Sequence, residues 1–188
     1  MQQQQRFFQK ALVFASLCVS ALVFIYALGF VTDLYSLSFH ADATSTLFYV
    51  EGAELFYAVQ PFNKELLRLA IALILLSVLL FATLTHSRRL YYVSNYVSSL
   101  LFAGFAGYVG VLNLVNVLYV KQKYLALDFA RMQEISDKLK MRFVQSTFML
   151  DAGIVLSCAL LLLALCMVVN LIWKTVWMRR EKRLMKGE

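Results

Sequence analysis

The sequence predicts an all-α integral membrane protein, a four-transmembrane-helix bundle with an amphipathic helix between its third and fourth spans. Composition is the first observation behind this: 61% of the 188 residues are hydrophobic and 15% charged, with a mean hydropathy of +0.70, whereas soluble domains are about half apolar. The second is that cutting the chain at its charges leaves four long runs, Ala11–Thr32, Leu69–Ser87, Leu90–Val120 and Ala152–Trp173. Each meets the roughly 20 residues that a helix rising ~1.5 Å per residue needs to cross a bilayer. The third is continuity. The runs do not alternate apolar with polar residues, as barrel strands do, and backbone in lipid must satisfy its own hydrogen bonds. The spans are placed at about 11–32, 67–87, 95–120 and 149–173.

The first run follows Arg6 and Lys10, as a signal peptide would, and "ADA" at 41–43 resembles a cleavage site. Its apolar core exceeds the ~7–15 residues of a signal sequence, which favours a retained helix. The connection over 33–65 is read as an outer aromatic loop in which Leu-Phe-Tyr recurs at 47–49 and 55–57. Tyrosines there suit the half-wet bilayer surface, and Pro61 and Asn63 are expected to punctuate the loop before the second span.

The third span carries the sequence's most informative pattern, "AGFAGYVGVLNLVN" at 103–116. At 100° per residue, Ser99, Ala103, Ala106, Gly107 and Gly110 share one sector, with Asn95 and Asn113 at its edge. Helices in lipid associate by close packing and interhelical hydrogen bonds rather than by apolar burial. This face is therefore expected to be the tightest helix contact, centred on Gly107, with Gly104 off it. The neighbour is either another helix of the chain or another subunit.

Beyond the third span, residues 121–146 place Tyr124, Asp128, Met132, Ile135, Leu139 and Phe143 at steps of three and four, with the apolar Leu127 three beyond Tyr124. That is the helical period, and it predicts an outer amphipathic helix, either lying on the surface or standing up as an extension of the third span, whose other face carries Lys123, Arg131, Glu134, Asp137, Lys138 and Lys140. After the fourth span comes a basic tail, 174–188. Trp173 and Trp177 sit at headgroup level with Arg179 and Arg180 just beyond, an arrangement that anchors a helix end and attracts anionic lipid.

Four crossings put both termini on one side. That side holds ten basic residues against eight on the other. The short hairpin around Arg88 and Arg89 and the basic tail make it the cytoplasmic side of a cell (plasma) membrane under the positive-inside rule. The +7 net charge does not imply nucleic acid, because the basic residues are divided between two membrane faces rather than gathered in one groove.

Candidate chemistry is sparse. Asp33, Arg68, Asn113, Asn116 and Asp151 fall at similar depth near the outer boundary, and an Arg68–Asp151 ion pair is the economical expectation, with a substrate or ion site as the sharper one. His40 and His86 lie on opposite sides, so no shared metal site is expected. Cys18, Cys158 and Cys166 fall within spans as small packing residues, and no disulfide or cofactor is expected. No nucleophile elbow, P-loop or zinc-protease motif occurs. The expected function is a non-enzymatic accessory or assembly subunit of a transporter or other membrane complex. Its partners are the lipid bilayer and a membrane protein or second copy. The alternative is a small transporter or channel with a pathway between protomers near the outer polar cluster.

Overall fold

A computed structural model of the chain describes residues 2–37, 52–85, 92–138 and 144–186. The described elements are all helical: α1 (Gln2–Gly29), a 3-10 turn at Tyr35–Leu37, α2 (Ala53–Thr85), α3 (Tyr92–Leu125), α4 (Phe129–Lys138) and α5 (Phe148–Lys186). Of these, α1, α2, α3 and α5 are long and apolar enough to cross a membrane.

The four long helices form a ring in which α1 packs on α2 and α5, and α3 packs on α2 and, most extensively, on α5. Periodicity explains the arrangement. On α2 the buried positions are Val59, Leu66, Ala70, Leu73, Ser77 and Leu80, spaced by threes, fours and one seven, which is the stripe of a helix with one buried face. Near the end of the ring where α5 begins, an aromatic plug closes the core. Phe30 meets both Tyr26 and Phe62 edge-on, at 5.6 Å between ring centroids in each case.

Several boundaries differ from the sequence reading. α1 starts at Gln2 rather than near residue 11, so the polar glutamines before the apolar run are helical. α2 starts at Ala53, and Pro61, expected to end a loop, lies inside it. Proline removes one intrahelical hydrogen bond, but Leu55, Phe56, Val59 and Phe62 around it all pack into the core, and that burial carries the helix through. Of the aromatic repeat, 47–49 lies outside the described residues. In the second copy Leu55 and Phe56 pack inward while Tyr57 is exposed.

The expected helix over 121–146 is divided. Residues to Leu125 continue α3, and a separate α4 begins at Phe129 because Asp128 caps it: its carboxylate accepts the Arg131 backbone N–H at 3.1 Å, which rewards a helix start at that point. In α4 Met132 and Ser136 are buried and Arg131, Gln133, Glu134 and Asp137 exposed. Leu139 and Phe143 lie outside the described residues. The basic tail is not a separate segment, since α5 runs on through it to Lys186.

Candidate functional site

The small-residue face of α3 meets α5 of the same chain. Ser99, Ala103 and Ala106 are buried. A Cβ built on Gly110 would lie 3.0 Å from Leu161 Cγ and 3.3 Å from Leu160 Cβ, so the helices approach closely there because glycine lacks that atom. The centre of close approach is displaced from the expected one: a Cβ on Gly107 would be an ordinary 3.9 Å from Ala164 Cβ. Gly104 faces open space, with nothing within 4 Å.

The five outer polar residues do not converge. Asp151 pairs with Lys121, Nζ to Oδ1 at 2.5 Å, and accepts a hydrogen bond from the Thr147 hydroxyl at 2.9 Å. Arg68 is exposed on α2, so the expected Arg68–Asp151 pair is replaced by Lys121–Asp151. The reason is local. α3 extends a turn past Val120, which brings Lys121 beside the first turn of its antiparallel neighbour α5, while α2 and α5 stand across the ring from each other. Asn116 turns back on its own helix, donating to Leu112 O at 2.8 Å.

Asp33 has a different task. Its carboxylate accepts the Met149 N–H at 2.6 Å, so a residue just past α1 caps the start of α5. A carboxylate there satisfies a free amide and sits at the positive end of the helix dipole.

Asn113 enters the core. Its Nδ2 donates to Ser157 Oγ at 2.8 Å and Gly153 O at 3.3 Å. Tyr26, reaching in from α1, lies against Asn113 and directly over Gly153, where a Cβ would collide with the phenol hydroxyl. Tyr26 Oη and Asn113 Oδ1 are both buried at this contact, and neither has a further hydrogen-bond partner among the described residues. Three helices thus meet at one glycine, and the Tyr26 hydroxyl and the Asn113 amide lie together beside it.

A second polar layer, at the other end of the ring, was not legible as a cluster in the sequence. Asn95 Oδ1 accepts from Gln9 Nε2 at 2.6 Å and from Lys174 Nζ at 2.7 Å. Its Nδ2 reaches Thr83 Oγ1 at 3.4 Å, and Thr83 bonds Ser98 at 2.9 Å. One turn outward, Gln5 donates to Asn170 Oδ1 at 3.3 Å. Asn95 therefore joins α1, α2 and α5 to α3. A signal was present: Gln5 and Gln9 are four apart and share a helix face. Dividing the chain at its charges hid it, because amides carry none. Between the two layers, Ser20 bonds Ser77 at 2.7 Å across α1 and α2.

Of the anchoring residues, Trp173 is half-buried and lies 6.1 Å from Phe8 by ring centroids, and Arg179 is exposed. The side chains of Trp177 and Arg180 lie outside the described set, as do His40 and His86. Cys18 and Cys158 are exposed and Cys166 partly buried, each as a free thiol. Among the described residues no three of His, Cys, Asp or Glu group as a metal site would require.

Compared with protein-family models, curated proteins and solved structures, the chain matches none. The arrangement itself supports one chemistry. Amides and hydroxyls inside an apolar bundle bond one another, each interhelical bond contributing about 0.6 kcal/mol on average in a membrane bundle and up to ~1–2 in model peptides. These groups act as glue between helices.

Proposed function

We propose that this chain is a non-enzymatic polytopic membrane protein, an accessory or assembly subunit of a transporter or other complex in the cell membrane, with both termini cytoplasmic. One observation carries the reading: the small-residue face that would suit a foreign helix is taken up by the chain's own α5, through Gly110. The bundle is thereby a self-assembled module, and recognition is left to its outward faces. Those faces are extensive. Between 28% and 39% of each spanning window is buried within the chain, and Leu75 and Phe81 on α2, Tyr108 and Val115 on α3, and Val155 and Leu162 on α5 are exposed. Apolar surface on this scale marks contact with lipid or with another membrane protein. Gln5–Asn170 and Phe8–Trp173 contacts put the start of α1 and the end of α5 together, which suits termini on one side.

A small transporter is the second reading, and the buried Tyr26 and Asn113 side chains favour it, since polar groups at membrane depth are where solutes or ions are handled. Vesicles containing the purified chain separate the two. A subunit leaves an imposed proton or potassium gradient as stable as in empty vesicles, and photo-crosslinkers at Leu75, Tyr108 and Val155 in cells give discrete protein adducts from one face. Gradient loss that disappears with Asn113→Leu refutes the subunit reading in favour of transport. Reporter fusions at Glu188 and within residues 40–60 should report opposite sides, and an external tail would overturn the orientation.

A further inference from the structure

On the outside of the α3–α5 pair, toward the end where α3 begins, Leu100, Val168, Ile172 and Val176 stand around the buried Leu171. They form an apolar groove of about 320 Å³, completed by Tyr96, Thr175 and Arg179. We propose that this groove holds a phospholipid with an anionic headgroup, one acyl chain lying between α3 and α5 and the phosphate on Arg179. The proposal rests on the membrane reading above.

Length, charge and position support it together. From Val168 to Arg179 along α5 is ~16 Å at 1.5 Å per residue, about half the roughly 30 Å hydrocarbon core. With Trp173 and Trp177 at headgroup level, the groove runs from the headgroups part-way into one leaflet. Its apolar wall ends in a cation where the hydrocarbon ends. The Arg179 side chain is exposed and forms no ion pair among the described residues, and a guanidinium fork matches phosphate oxygens two at a time. The neighbouring groups are committed elsewhere: the Thr175 hydroxyl donates to Leu171 O at 2.8 Å, and Lys174 donates inward to Asn95. Arg179 is therefore the donor at the mouth. A second helix would meet the same walls, but it would bury Arg179 against lipid-level apolar surface, which a lone charge resists.

The test uses the full chain purified in mild detergent, offered equimolar phosphatidylglycerol and phosphatidylcholine with identical acyl chains, with bound lipid counted by native mass spectrometry. Wild type should retain phosphatidylglycerol about fivefold over phosphatidylcholine, the ratio equivalent to ~1 kcal/mol for one basic group at an anionic surface. Arg179→Gln should bring that ratio close to one while leaving the fold intact, because the side chain is exposed. Ile172→Trp should fill the groove and lower retention of both lipids. Arg131→Gln, an exposed cation on α4, should change nothing. Equal retention of the two lipids by wild type, or a preference that survives Arg179→Gln, overturns the proposal. So does a dimer that Ile172→Trp dissolves, since a second copy would then be the occupant. Carbonate washing of native membranes distinguishes the deeper failure: a chain released by the wash refutes membrane insertion, whereas a retained chain without lipid preference refutes the lipid site alone.

Discussion

Gly153→Ala tests the meeting of three helices at its most crowded point. The added methyl would occupy space held by the Tyr26 hydroxyl, with Tyr26 Cζ at 2.7 Å and Val117 Cγ2 at 3.1 Å. The contact involves a ring that is itself packed edge-on against Phe30, so it cannot simply swing aside. Overpacking of this kind costs about 1–3 kcal/mol, and replacing a helical glycine by alanine returns about 1 kcal/mol, which leaves a net loss of roughly 0–2 kcal/mol.

Tyr26→Phe removes the colliding oxygen, and with it the hydroxyl's contact with Asn113, a hydrogen bond contributing about 0.5–1.5 kcal/mol. The single Tyr26→Phe variant should therefore be close to neutral, relief of the crowding over Gly153 offsetting the lost contact. In its background Gly153→Ala should cost less than in wild type, with a coupling of about 1 kcal/mol, inside the ~0.5–3 kcal/mol range of residues in contact. Thermal unfolding in one detergent should show this as ~2–4 °C for a chain of this length, and graded unfolding in sodium dodecyl sulfate should give the same order of variants. Additive effects of the two substitutions, within ~0.3 kcal/mol, would refute the placement of Tyr26 over Gly153.

Along α3, Gly110→Leu should destabilise by about 1–3 kcal/mol, whereas Gly104→Leu, pointing into open space, should be tolerated and Gly107→Ala should be close to neutral; equal loss at 104 and 110 in the same melts would mean that the α3–α5 contact is misplaced. Asn95→Leu deletes the acceptor shared by Gln9 and Lys174 and should lower stability by ~1–3 kcal/mol, because two donors lose their partner; the check is that Gln9→Leu in that background then costs little further. At the other end, Lys121→Met should leave stability nearly unchanged, as expected of a solvent-screened pair, and Asp33→Ala should cost ~0.5–2 kcal/mol through the lost cap of α5. Hydrogen exchange at the first turn of α5 should rise in Asp33→Ala and stay unchanged in Arg68→Gln.

What the sequence by itself determined follows from one-dimensional quantities. Hydrophobic length sets the number of spanning helices, since the bilayer's thickness converts directly into residues, and the period of 3.6 identifies Ser99, Ala103, Ala106, Gly107 and Gly110 as one face before any neighbour is known, though not that the closest approach falls at Gly110 rather than Gly107. Gly104's exclusion from that face came from the same angle. Helix ends were less legible, because they depend on capping and packing: Pro61 stays helical through the burial around it, and Asp128 divides α3 from α4 through a single carboxylate. Partners were not legible at all. Similar depth suggested Arg68 for Asp151, but depth is one coordinate, and the choice of Lys121 needs the order of helices around the ring and the axial offset of α3 against α5. The same holds for Asn95, whose partners come from three other helices 12 to 86 positions away. Polar groups in lipid pair with whatever the tertiary structure brings within about 3 Å, and no periodicity along the chain encodes that distance.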